Sequence, residues 1–162
     1  MAGVLSLDIE TSNYSYDIGG WDKTSMFEPT VVATYDGDKS TIFCNHDVDV
    51  EGADIRPLHP RDVGEHIMAH INAGGAIVGH NILRFDLPVL RDALDCHDAG
   101  VVLRKHKDSI IDTSQHLRKA TTKIGNQFFI KLDDVCKHTL QRGKTMKSVD
   151  APVQWGQGNH TD

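Results

Sequence analysis

Two short segments of the sequence carry carboxylates at spacings that could hold a divalent metal ion. The first is Val4-Leu5-Ser6-Leu7-Asp8-Ile9-Glu10, whose alternation of apolar and polar residues predicts a strand. Because side chains alternate between the two faces of a strand, Asp8 and Glu10 project the same way. Neighbouring like charges are unfavourable without a cation between them, and Mg²⁺ or Mn²⁺ prefers oxygen ligands. The alternative interpretation is a strand end with two solvent-exposed acids.

The second segment, residues 79–90, contains Asn81 and Asp86. Asp86 stands just before the apolar pattern of a helix, where its carboxylate could cap the exposed N–H groups of the first turn. Asn81 would then be an ordinary loop residue. The functional alternative places Asp86 beside the first strand, as a third carboxylate of the same site.

The elements that must position these residues follow from apolar periodicity and turn residues. The predicted strands are 4–9, 30–35, 40–43, 76–79 and 109–111, and Asp36-Gly37 forms the turn of a hairpin between the second and the third. The first predicted helix opens at Pro60, carries Val63, Ile67 and Ile71 on one face and stops at Gly74. Further helices are predicted after Asp86 and at 113–120 and 132–140. Residues 11–29 are predicted to form a long loop, and the chain from Gly143 has no clear period. The order predicts one α/β domain over residues 1–162, with a central mixed sheet flanked by helices.

Composition separates the possible classes of protein. The formal charge of −6 disfavours a passive nucleic-acid binder, which usually has a basic face, but a nuclease whose carboxylates surround metal ions can be acidic. No apolar run has the roughly 20 residues of a membrane helix, and no basic flank marks a secretion signal. Three widely spaced cysteines indicate reduced thiols. We therefore expect a cytoplasmic protein without a membrane anchor.

Four further side chains have two interpretations each. Trp21 and Phe27 in the long loop could stack on nucleobases, but packing over the hairpin is the preferred prediction. His66 and His70 are four residues apart on the helix after Pro60, and we predict a solvated face for them rather than a metal site.

The two carboxylate segments together resemble the first two sequence blocks of the DEDD-type 3'–5' exonucleases, a DnaQ-like group of the RNase H-like superfamily, and are most similar to the tyrosine-type branch. The first block is a DxE that ends a strand, matched by Asp8-Ile9-Glu10-Thr11. The second is an Asn, three residues, an aromatic residue and an Asp, matched by Asn81 through Phe85-Asp86. A softer likeness is Ile111-Asp112-Thr113 followed by Leu132-Asp133-Asp134-Val135.

The resemblance implies an RNase H-like (DnaQ-like exonuclease) fold and hydrolysis of DNA or RNA from a single-stranded 3' end. Two ions, Mg²⁺ or Mn²⁺, would generate the hydroxide nucleophile and stabilise the leaving oxygen. By the same resemblance, Asp8 would touch both ions, Glu10 one ion and the attacking water, and Asp86 the second ion. The residues implied to place the substrate strand are Thr11, Asn81 and Phe85.

The sequence departs from the family at its third block, which holds a fourth Asp with a Tyr or His four or five residues before it. No such pattern follows residue 132, and the terminal His160-Thr161-Asp162 is a poor match. We therefore expect either a domain truncated at its C-terminus or a second subunit or partner that completes the site. The alternative is a catalytically silent module that binds nucleic acid or a partner protein. An RNase H-like endonuclease or resolvase is disfavoured by the second block.

Overall fold

The computed structural model describes residues 3–123, 130–143 and 150–158. Its strands form one six-stranded mixed sheet in the order β4-β3-β2-β1-β5-β6. Their bounds are β1 (Val4–Thr11), β2 (Pro29–Tyr35), β3 (Ser40–Cys44), β4 (Ala53–Arg56), β5 (Ala76–Gly79) and β6 (Ile110–Asp112). The antiparallel pairs are β1 with β2 and β2 with β3, whereas β3–β4, β1–β5 and β5–β6 are parallel. The predicted central mixed sheet is confirmed.

Strand β1 lies inside the sheet and has two different faces. Leu5, Leu7 and Ile9 are buried in the core, while Asp8 and Glu10 are exposed. This is the alternation expected from the sequence, because one face of the strand must pack against apolar residues and the other need not.

Within the described ranges, six α-helices accompany the sheet: α1 (Pro60–Asn72), α2 (Asp86–Asp92), α3 (His97–Lys105), α4 (Thr113–Lys123), α5 (Leu132–Leu140) and α6 (Ala151–Gly156). Helix α1 begins with Pro60 in its first turn and buries Val63, Ile67 and Ile71 at intervals of four residues. It ends where Gly74 adopts a φ of +84°, a conformation that glycine reaches without a steric penalty. The prediction for α1 is confirmed.

The core lies between the sheet and helices α1 to α3. Helices α1 and α2 both pack against α3, α1 contacts β5, and α2 contacts β1. The contact of α2 with β1 matters for function, since each of these elements carries one of the sequence segments with candidate carboxylates. Helix α6 also packs against β1.

Three elements were not predicted. Strand β4 is a four-residue edge strand with no buried side chain, so it lacks the apolar alternation that reveals a strand. Helix α3 buries only Ala99, Gly100 and Val102, a stripe of small residues that gives a weak apolar period. Helix α6 has six residues and no buried side chain in the polar tail.

Three other side-chain environments test the sequence interpretation. Phe27 belongs to the core, as predicted, but Trp21 remains 65% exposed, so the prediction that it packs over the hairpin is wrong. His66 is half-buried and hydrogen-bonded to Thr34, because α1 lies across the sheet at that point; the solvated face predicted for it is also wrong. The three cysteines are free thiols. Within the described ranges, no helix is long and apolar enough to cross a bilayer.

Candidate active site

The end of β1 presents the first pair of carboxylates. Asp8 and Glu10 stand opposite Ala33 and Val31 of β2, and the pairing of the two strands becomes irregular between Glu10 and Thr11. Such irregularities bend a strand and change the direction of the side chains that follow. Thr11 closes the strand with its hydroxyl donating to the carbonyl of Asn13 at 3.0 Å.

Asp86 is the first residue of α2, but its side chain does not cap that helix. Phe85 occupies the N-cap position, and no side-chain hydrogen bond caps the helix there. The carboxylate of Asp86 is instead turned towards β1, where its Oδ1 accepts the backbone N–H of Ile9 at 3.2 Å. Ile9 lies between Asp8 and Glu10 in the strand, so the fold brings the second sequence segment against the first.

The environment of Asp86 strongly disfavours a negative charge. The carboxyl is only 3% exposed, and its burial together with the charge of Asp8 raises its pKa to about 8, with a smaller contribution from Asp112. The backbone N–H groups of Ile9 and of Asp86 itself act in the opposite direction but are outweighed. A positive ion beside these carboxylates would reverse the balance, because it favours the ionised form.

Asp112 holds the loop that leads to Asp86. This residue ends β6, is 2% exposed, and accepts the backbone N–H of Asn81 at 3.0 Å and that of Leu83 at 3.2 Å. The same carboxylate accepts the N–H groups of Ser114 and Gln115 at the start of α4. Asp112 therefore ties the 81–86 segment to the sheet.

Asn81 contributes through its backbone. Its φ of +66° lies in the left-handed region, which asparagine tolerates better than most residues. Its carbonyl accepts the N–H groups of Arg84 and Phe85, each at 3.0 Å. This turn delivers Phe85 and Asp86 to the beginning of α2.

Aromatic rings gather around Phe85, the residue before Asp86. Phe85 is half-buried and meets Phe27 edge-on with ring centroids 5.1 Å apart, and Trp21 with centroids 5.3 Å apart. Phe27 is covered by the core, whereas Trp21 faces solvent. The sequence offered an interpretation for Trp21 but did not show that it would contact Phe85.

The described acids of residues 130–158 lie on or next to helices α5 and α6. Asp133 forms an ion pair with Lys137 within α5, and Asp150 is exposed just before α6. Asp162 lies outside the described residues. In the part of the chain that is described, no three His, Cys, Asp or Glu side chains are grouped so that they could hold a metal ion. The oxygen donors of Asp8, Glu10 and Asp86 nevertheless have the chemistry that Mg²⁺ and Mn²⁺ select.

Comparison with known proteins gives a likeness of fold. No protein-family model and no curated protein matches the chain. Among solved structures, the chain is similar to E. coli exonuclease I in complex with a 5cy-dT13 oligonucleotide, with a TM-score of 0.51 and 14% sequence identity. The match covers 96% of this chain but only 39% of the exonuclease chain. The protein thus has an α/β architecture with a structural neighbour of the exonuclease RNase H-like fold.

Proposed function

We propose that this protein is a metal-dependent 3'–5' exonuclease that hydrolyses phosphodiester bonds of DNA or RNA. The observation that carries the proposal is the placement of the buried Asp86 carboxyl against the strand of Asp8 and Glu10. Burying a carboxyl beside another carboxylate is unfavourable for the isolated chain, and bound cations would remove the penalty. The fold likeness to an exonuclease supports the same conclusion.

We assign a role in this proposal to each candidate side chain. Asp8, Glu10 and Asp86 would hold two Mg²⁺ or Mn²⁺ ions, which when bound activate water and neutralise charge at the phosphate. Asp8 and Glu10 are exposed on β1 and would face the substrate, whereas Asp86 is buried against the backbone of Ile9. Phe85 would position the strand. Thr11 and Asn81 shape the two backbone segments that lead to it.

A catalytically silent module that binds nucleic acid or a partner is the second candidate. The observation in its favour is that the described residues include no group of three possible metal ligands. On the first proposal, a fourth carboxylate would come from a continuation of the chain or from a partner subunit, since the single acid outside the described ranges, Asp162, matches the family pattern poorly. We propose a reducing, cytoplasmic setting for either function, in keeping with the free thiols.

The test is a trimming assay on single-stranded oligonucleotides of DNA and of RNA, labelled at the 5' end and incubated with Mn²⁺. A 3'–5' exonuclease gives a ladder of shortened products that disappears in Asp8→Asn and Asp86→Asn. Asp54→Asn is the matched control, since Asp54 lies in β4 on the edge of the sheet and pairs with Arg56. This chain alone is expected to trim slowly or not at all if the fourth carboxylate is missing, so the assay is repeated with a version extended by any residues that follow position 162. Binding of the oligonucleotides without Asp8-dependent trimming by either version would instead favour the silent module.

A further inference from the structure

The loop of residues 12–28, between β1 and β2, places an exposed indole beside the candidate site. The ring of Trp21 lies 5.3 Å from that of Phe85 and 6.0 Å from that of Phe27, measured between centroids. Phe85 is followed directly by Asp86. Trp21 is 65% exposed, so much of its side chain is in contact with solvent.

Side-chain hydrogen bonds join the two ends of the 12–28 loop to each other, and one ties the loop to α2. The side-chain amide of Asn13 donates to the carbonyl of Met26 at 2.8 Å, and its oxygen accepts the N–H of Glu28 at 3.0 Å. The hydroxyl of Thr24 donates to the carboxylate of Asp92 in α2 at 2.5 Å. The bond to Asp92 ties the loop to α2, and the indole lies against Phe85 without any ligand.

Covering the core accounts for only part of this side chain. Trp21 lies over Phe27 and Phe85, yet it remains 65% exposed. The loop is also unsuited to phosphate, because it contains three acids and a single basic residue, Lys23, which pairs with Asp22. The loop presents an aromatic face to a ligand. Every nucleobase has a π face that can stack on such a surface, whatever the sequence of the strand.

We propose that Trp21 stacks on an unpaired nucleobase of the substrate strand close to its reacting end. The inference rests on the proposed function and assigns to Trp21 the binding of a base next to the carboxylate site. A base in a duplex has both faces covered by its neighbours, so a site that uses Trp21 takes single-stranded nucleic acid or a frayed end. The phosphates would be held at the carboxylate site, and the base by Trp21.

The first experiment records the fluorescence of Trp21 itself. The chain has two tryptophans, so Trp155→Phe leaves Trp21 as the only indole. We titrate this variant with a single-stranded dT octamer in Ca²⁺, an oxygen-liganded cation of looser geometry than Mg²⁺. We expect saturable quenching by the octamer, and little quenching by an abasic strand of equal length or by a blunt duplex. Binding of the octamer with no change in Trp21 fluorescence would overturn the proposal.

The second experiment measures affinity by fluorescence anisotropy of a labelled octamer. Trp21→Leu keeps an apolar cover over Phe27 but removes the π face, and we expect it to weaken binding by about 5- to 150-fold. Trp21→Phe should retain much of the affinity. The control is Tyr35→Leu, an exposed aromatic residue paired with Ser6 and therefore at the opposite end of β1 from Glu10.

The outcomes separate this inference from the proposed function. One outcome is that the octamer binds wild type, that Asp8→Asn weakens this binding, and that Trp21→Leu binds like wild type at an unchanged melting temperature. In that case the stacking role is wrong and the proposed function stands. If Trp21→Leu unfolds, the Trp21→Phe variant and the fluorescence titration decide. If no oligonucleotide binds the wild-type chain, the proposed function fails and the stacking role fails with it.

Discussion

Replacing Asp86 with Asn should stabilise the metal-free protein while removing its proposed activity. The pKa of this carboxyl is raised from 3.8 to about 8, chiefly by burial and then by the charge of Asp8. Asn is nearly isosteric with Asp and keeps an oxygen that can accept the N–H of Ile9. The substitution therefore removes a group that the folded state forces to hold a proton and changes little else.

The sign and size follow from proton linkage. Because the folded pKa lies above the unfolded one, the unfavourable contribution of Asp86 is absent well below pH 3.8 and grows as the pH rises towards 8. At about 1.4 kcal/mol per pH unit, the free energy of unfolding loses about 4 kcal/mol by pH 7 and about 2 kcal/mol by pH 5. Asp86→Asn should recover most of this loss, so its advantage over wild type should shrink as the solution is acidified.

The assay is urea denaturation in EDTA at pH 5, 6 and 7, followed by circular dichroism. The matched control is Asp112→Asn, the other deeply buried aspartate, which accepts several backbone N–H groups. Replacing one of its oxygens with an NH₂ group should destabilise the protein at all three pH values. An Asp86→Asn variant that is less stable than wild type at pH 7, or whose advantage does not vary with pH, would refute the reasoning.

Three further predictions concern metal, the loop and pH. Millimolar Mn²⁺ should raise the melting temperature of wild type but not of Asp8→Asn, because the ion binds the folded state. Identical melting curves of wild type with and without Mn²⁺ in scanning fluorimetry would count against the metal site. Asp112→Ala should lower the free energy of unfolding by about 3 kcal/mol or more, because buried N–H groups such as that of Asn81 lose their acceptor. The control Asp108→Ala changes an exposed side chain and should alter the free energy of unfolding by less than about 0.5 kcal/mol. Similar urea midpoints for the two variants would contradict this prediction. Burial is the main cause that lowers the pKa of His66, so the folded state binds this proton less readily than the unfolded chain, and stability should fall below pH 6.5. His66→Gln should reduce that fall in urea titrations at pH 7 and pH 5, and an unchanged pH dependence would show that other groups cause it.

Much of the fold can be predicted from the sequence, because an element that buries one face repeats apolar residues at regular intervals. In β1 and α1, the buried residues recur every two and every four positions, and both elements form where they were predicted. Strand β4 and helix α6 bury no side chain, so no period marks them. Their positions depend on pairing with β3 and packing on β1, which are tertiary contacts.

The candidate site was only partly predictable for the same reason. The common face of Asp8 and Glu10 follows from strand geometry, and the position of Asp86 before a helix follows from the apolar pattern after it. The role of Asp112 cannot be predicted in this way, because two of the N–H groups that it accepts belong to a loop about 30 residues earlier in the chain. An Asp that ends a short apolar strand and precedes Thr-Ser at a helix start is the available clue. Nothing local indicates that Trp21 reaches Phe85.

The contrast between the two buried aspartates is the physical argument for where chemistry takes place. Asp112 accepts backbone N–H groups from the 81–86 segment and from α4, so its burial contributes to the fold. Asp86 is buried to the same extent, but the N–H groups that favour its charge are outweighed by desolvation and by Asp8. Stability alone would therefore favour a neutral residue at position 86. A carboxyl group held where folding disfavours its charge, beside a second carboxylate on an exposed strand face, is suited to a ligand that supplies positive charge. For this reason we assign the proposed metal-dependent chemistry to Asp86 with Asp8 and Glu10, and a supporting structural role to Asp112.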